Sequence, residues 1–235
     1  DITKSESDNA EAYELYLKAK NIFYKRENID DTEIAQGLLQ KALELDNKLI
    51  LAKHLLGDSY LNLYNYDKAM EIFSSTLTQA KELGDKLWIG RSNRKIGNVS
   101  YWKNDYDTAL DYYESALVIA EDISDKTGIE AALNNIGGIY RILGDYDKAL
   151  DYYDRAFAII EHRGDKYSMG MSLNSIGVAY KNKGDYDKAL EYYDRSILIA
   201  EELGDKHGLG IRLFNIGNVY HSKYVYDKAL DYYDR

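Results

Sequence analysis

The stretch GDYDKALDYYDR at 144–155 is dense in side chains that could do chemistry. Asp147, Asp151 and Asp154 fall at i, i+4 and i+7, which is one face of a helix. Carboxylates so spaced could hold a hard cation, and carboxylates beside tyrosines could serve acid–base work. A cation site, however, needs ligands converging from several directions, and one helix face supplies only one. Asp151 and Arg155 also stand at i, i+4, the spacing of an ordinary surface ion pair, so a solvated helix face accounts for the same residues. The histidines, His54, His162, His207 and His221, lie far apart and in no metal-ligand spacing. The chain has no Cys. That removes thiol catalysis, cysteine metal sites and disulfides, and fits a reducing compartment such as the cytoplasm. No P-loop, nucleophile elbow or dinucleotide fingerprint occurs. No catalysis, metal or cofactor is expected.

Repetition explains the stretch better. Nearly the same words return as GDYDKALEYYDR at 184–195 and VYDKALDYYDR at 225–235, and precede it as NDYDTALDYYES at 104–115 and YNYDKAMEIFSS at 64–75. Tyr66, Tyr106, Tyr146, Tyr186 and Tyr226 are each 40 residues apart. An earlier unit, TEIAQGLLQKAL at 32–43, places Ala35 34 residues before Ala69. A fixed period of this length is the mark of a stacked array rather than of an active site. The units run approximately 9–46, 47–86, 87–126, 127–166, 167–206 and 207–235, the last one short.

Each unit holds two helical patterns. In LNNIGGIYRIL, Leu133, Ile136, Tyr140 and Leu143 share one face. In YDKALDYYDRAFAIIE, Ala149, Leu150, Tyr153, Ala156, Phe157 and Ile160 do the same. Gly144-Asp145 between them ends one helix and caps the next, and GDK or SDK connectors do so between units. Turns this short make successive helices antiparallel. Gly137 and Ala149, like Gly57/Ala69, Gly97/Ala109, Gly177/Ala189 and Gly217/Ala229, stand where paired helices cross.

Composition narrows the partners. The net charge is −10, which disfavours a general nucleic-acid or anionic-membrane surface. No apolar run approaches the roughly 18 residues of a membrane span, and no signal peptide is visible. The chain starts at Asp1 without Met and stops at Arg235 within a repeat word, so it is expected to be a piece of a longer protein.

The motifs IGGIY, IGVAY, IGNVY and LLGDSY, each followed by ALDYY, ALEYY or a close variant, resemble the tetratricopeptide repeat. The family's usual Pro is absent, and GNVSY at 97–101 has Ser100 where Tyr is expected. The 40-residue period resembles the extended repeats of kinesin light chains and bacterial peptide-sensing regulators. Residues 9–46 resemble the start of the repeat segment in multidomain bacterial signalling proteins, including adenylate cyclases. The resemblance implies an all-α fold, a right-handed superhelical solenoid of antiparallel helix pairs whose first helices line a concave groove.

Carried onto this sequence, the family's inward positions give a candidate peptide-binding set. It comprises Arg91, Arg94, Lys95, Asn98 and Trp102, then Asn134, Asn135 and Arg141, then Asn174 and Lys181, and finally Phe214, Asn215 and Asn218. His54, Asp58, Lys103 and His221 fall on the same face. Cations outnumber carboxylates there although the chain is acidic. Asn both donates to and accepts from a peptide backbone, and Trp102 and Phe214 offer apolar anchors. Arg94, Asn98 and Asn135 match three positions of the carboxylate clamp of chaperone-binding repeats, whereas Met171 and Ser175 stand where its second cation pair would be. The expected partner is therefore a protein or peptide segment bearing Asp, Glu, phosphate or a free carboxylate. End-to-end self-association through the short last unit is the alternative.

Overall fold

The computed structural model describes residues 9–235, and every regular element among them is helical. The chain divides into two compact units, Asp1–Asp125 and Lys126–Arg235. The first contains α1 (Ala10–Lys25), α2 (Ile29–Leu45), α3 (Ile50–Asn62), α4 (Tyr66–Leu83), α5 (Lys86–Trp102) and α6 (Tyr106–Asp122). The second contains α7 (Lys126–Ile142), α8 (Tyr146–Arg163), α9 (Lys166–Lys183), α10 (Tyr186–Leu203), α11 (Lys206–Ser222) and the short α12 (Tyr226–Tyr233). Each unit is three helix pairs.

The turns follow from local chemistry. Gly84, Gly144, Gly164, Gly184 and Gly204 all adopt left-handed angles, with φ between 66° and 88°. The next residue is an aspartate whose carboxylate caps the following helix. Asp85 accepts from the Trp88 N–H at 3.1 Å, Asp145 from Lys148 at 3.2 Å and Asp205 from Gly208 at 2.9 Å. A negative charge there also opposes the helix dipole. Tyr64, Asn104, Ser124 and Tyr224 take the same left-handed conformation at corresponding turns.

Small residues set the helix spacing. A Cβ on Gly57, Gly97 or Gly177 would sit within 2.7 Å of the ring of Phe73, Tyr113 or Tyr193. The first helix of these pairs can thus lie directly on an aromatic ring of the second. Ala149, Leu150 and Tyr153 are buried, while Asp151 faces solvent with Arg155 Nη1 4.0 Å away. The acidic stretch is therefore the outer face of α8.

In the second unit Tyr140 stacks on Tyr152, Tyr180 on Tyr192 and Tyr220 on Tyr232, with centroids 5.4–5.6 Å apart. Lys148, Lys188 and Lys228 each lie over one ring of a stack. Ser100 holds the corresponding place in α5, is buried, and leaves the helix unbroken.

One pair is irregular. The first helices of later pairs begin at Lys86, Lys126, Lys166 and Lys206, but α3 begins at Ile50 rather than at 46. In two of these pairs the opening lysine clips the end of its partner helix: Lys86 to Asp122 at 2.7 Å, and Lys166 to Glu202. At the matching positions here stand Asp46 and Glu82, two carboxylates, and no clip forms between them. Beneath the 46–49 connector lies a cleft of about 860 Å³ lined by Leu43, Leu49, Lys53, Gln79 and Glu82. Lys53 Nζ donates to Gln79 Oε1 at 2.6 Å, and Gln79 Nε2 donates to the Lys48 carbonyl at 2.6 Å. None of the predicted peptide-binding residues lines this cleft.

Candidate ligand-binding face

In the first unit the polar chemistry centres on Asp58. Lys95 Nζ donates to its Oδ1 at 2.5 Å, and the two side chains are 16% and 15% exposed. His54 Nδ1 stands 3.8 Å from Oδ2. The imidazole lies edge-on between Phe73 and Trp88, with centroids at 5.6 and 5.1 Å, and its Nε2 is buried without a partner. Burial, reinforced by Lys95, Arg94 and Arg91, holds the His54 pKa well below the ordinary histidine value. The Asp58 carboxylate, already engaged by Lys95, does not reverse this.

The other predicted residues surround that centre. Arg91 stacks its guanidinium over Trp88 at 5.0 Å. Arg94 is half-buried, and no carboxylate among the described residues lies within ion-pair reach of it. Burial lowers its pKa, opposed by the fields of Asp58 and Tyr113. Asn98 Oδ1 accepts from the Tyr113 hydroxyl at 2.8 Å. Trp102 is exposed and, with Phe23, Arg26, Asp58, Leu61 and Lys95, lines a cleft of about 390 Å³. Lys103 is held outward by Asp67 at 3.0 Å.

In the second unit amides dominate. Asn215 Nδ2 donates to Asn174 Oδ1 at 2.8 Å, joining α11 to α9. Asn218 Oδ1 accepts from the Tyr233 hydroxyl at 2.9 Å, and Phe214 packs against the Tyr233 ring at 5.4 Å. Asn134 and Asn135 are half-buried on α7. No hydrogen bond or ion pair among the described residues joins Arg141 or Lys181 to another predicted residue. The structure thus brings together Lys95 with Trp102, Asn174 with Asn215, and Phe214 with Asn218 around Tyr233.

The tyrosine partners of the predicted amides were not among the sequence expectations. The residue after the crossing glycine is Asn98 or Asn218 in two pairs, where it anchors a tyrosine hydroxyl. In α9 it is Val178, and the buried Tyr193 hydroxyl has no partner. Burial pushes the Tyr193 pKa up. The other surprise is Arg212, a guanidinium 3% exposed inside the second unit. The available signal was a long cation at a position that other pairs fill with Ala52, Ser92, Ala132 and Ser172.

Comparison with known proteins places this geometry. Among curated protein sequences, none matches the chain. Among solved structures, a signal-transduction ATPase with a tetratricopeptide repeat sensor from Pyrococcus horikoshii aligns with a TM-score of 0.78 at 21% identity. The alignment covers 89% of this chain but 32% of that one. BtubC from P. vanneervenii aligns at 0.72 and 21% identity, over 99% of this chain and 89% of that one. NprR, solved with its cognate peptide NprX, aligns at 0.72 and 18% identity, over 97% and 67%. At these identities the likeness is one of fold. The sequence profile of the tetratricopeptide repeat matches residues 88–162, 128–191 and 168–235. Together these matches span more than half of the chain, which therefore belongs to the tetratricopeptide repeat family.

Proposed function

We propose that the chain is a non-catalytic peptide-binding scaffold. Its first helices hold an extended segment bearing Asp, Glu or a free carboxylate, and it serves as the regulatory or adaptor part of a larger signalling protein. The observation that carries this reading is Arg94, a half-buried guanidinium with no carboxylate in reach, beside the neutralised Lys95–Asp58 pair and Arg91. A cation removed from water without a direct ion-pair partner gains most from a ligand carboxylate, which binds it through charge-assisted hydrogen bonds. Within the second unit, the Asn174–Asn215 pair offers donors and acceptors suited to a peptide backbone. NprR, solved with a peptide, and the ATPase with a repeat sensor support peptide recognition within a signalling chain.

A pull-down from lysate of the source cell tests this, comparing the native chain with Arg94→Glu at equal helicity. Partners kept by the native chain and lost by the variant support the reading. Equal recovery by both contradicts it.

A further inference from the structure

Arg212 is buried without being well satisfied. Its Nε donates to Ser196 Oγ at 2.9 Å, and that hydroxyl donates in turn to the Gly170 carbonyl at 2.6 Å. The rest of the fork fares worse. Nη1 lies 3.8 Å from Asp205 Oδ2, beyond hydrogen-bond length, and Nη2 meets the Met171 thioether at 3.7 Å. A guanidinium has five N–H groups, and here one makes a bond of full strength.

The surroundings are shaped for this group. A Cβ on Gly208 would lie 2.0 Å from Asp205 Oδ2 and 2.1 Å from Nη1, so this glycine makes room for the fork and its acidic neighbour; one on Gly170 would be in ordinary contact with Nη2 at 3.5 Å. The cover over Nη2 is soft. Met171 is 47% exposed, unbranched and able to change rotamer at small cost. It lies one helical turn before Asn174, and Arg212 lies one turn before Asn215. Arg212–Met171 and Asn215–Asn174 are thus neighbouring contacts between α11 and α9.

We propose that Arg212 is the carboxylate anchor of the second unit: a ligand carboxylate lying beside Asn174 and Asn215 displaces the Met171 side chain and accepts from Nη1 and Nη2. This inference rests on the acidic-peptide reading and assigns it a second cation. The sequence placed Met171 and Ser175 where a second pair of cations would stand; the helix of the following pair delivers a cation to that place from beneath. A strut that only ties α11 to α10 needs the Nε–Ser196 bond. It does not need a glycine at 208 beside a fork whose tips lack strong acceptors.

The test is an array of pentapeptides in which one Asp or Glu is stepped through an Ala-Leu background, each with its Asn or Gln counterpart. The full chain is the probe. The native chain is expected to prefer acid over amide about tenfold at the best position, the scale of one charged hydrogen-bonded contact. Arg212→Met keeps the stem and is expected to bring the ratio near one, Arg212→Lys to retain part of it, and Met171→Ala to raise acid binding about threefold by removing the cover. An unchanged acid preference in a fully helical Arg212→Met overturns the proposal and leaves the acidic-peptide reading standing on Arg94. No acid preference in the native chain overturns both. If Arg212→Met loses its helicity, Met171→Ala decides, since that variant keeps the guanidinium: stronger acid-selective binding supports the anchor and unchanged binding overturns it.

Discussion

In the first unit, the residue after the crossing glycine of α3 is Asp58, which holds Lys95 and faces His54. In α9 of the second unit the same place is Val178, and the tyrosine beneath it keeps an unpartnered hydroxyl. One backbone position, set by the same glycine-on-ring contact, thus carries an ion pair in one unit and an apolar side chain in the other. The scaffold depends on the small residue and the ring. What stands next to them is free to vary, and the proposed recognition chemistry would be written there. The first unit writes it in charge, with Arg91, Arg94 and the Lys95–Asp58 pair. The second writes it in amides, with Asn174, Asn215 and Asn218.

The largest expected effect comes from breaking the charged centre. Asp58→Ala leaves the Lys95 ammonium mostly buried without its partner. It is expected to destabilise the first unit by about 2 kcal/mol, less than for a fully dry pair because both groups keep some water. Asp58→Ala/Lys95→Met is expected to recover most of that loss in a denaturant titration followed by Trp fluorescence. If the double variant is as unstable as the single one, the pair is not what couples these residues.

The next effect sharpens the contrast through pH. His54 stays neutral when folded, because burial and the nearby Lys95, Arg94 and Arg91 depress its pKa. The unfolded chain gains a proton below the ordinary histidine value of 6.5, and the folded chain does not. Stability of the first unit is therefore full above that pH and falls on acidification, by about 1.4 kcal/mol per unit, until the folded pKa is reached. Trp88, packed on the imidazole, reports the loss. His54→Phe is expected to flatten the slope. An equal slope in the variant assigns the acid sensitivity to another group.

Binding gives a third comparison. Arg94→Gln is expected to weaken an acidic peptide about tenfold and to reduce the salt dependence of its binding. Asn174→Ala is expected to cost less, about threefold, with the salt dependence unchanged. Equal salt slopes in both variants would erase the division between a charged and an amide face.

The smallest effect is a gain. Val178→Asn copies the Asn98–Tyr113 and Asn218–Tyr233 pairs into α9 and gives the Tyr193 hydroxyl a partner. About 1 kcal/mol of added stability in the second unit is expected, measured by hydrogen exchange in α9 and α10.

The fold was legible in the sequence because it is repeated. Tyr66 through Tyr226 fixed the register, and Gly-Asp turns fixed the breaks. The crossing glycines were readable too, since only a side chain without Cβ fits on the rings of Phe73, Tyr113 and Tyr193. The face was legible only as a set of positions. Lys95 looked like a free cation, because its partner Asp58 lies 37 residues earlier and meets it only after α3 and α5 pack. Asn98 and Asn218 looked like free amides, because the tyrosines that bind them come from the second helices. Arg212 was invisible for the same reason: its partners, Ser196, Asp205 and Met171, come from three segments of the chain. The missing first turn of α3 was hidden in DNKL at 46–49, where Asp46 replaces the lysine that opens the later helices.

The central claim is that ligands lie against the first helices of the pairs. A photo-crosslinking amino acid placed at Ser175 on α9, and separately at Leu198 on the outer side of α10, tests it most directly. The probe is the acidic pentapeptide that binds best on the array, carrying biotin. Capture at 175 that free peptide competes away, with little capture at 198, is the result predicted. Capture at 198 with none at 175 would place the ligand on the second helices and contradict the account.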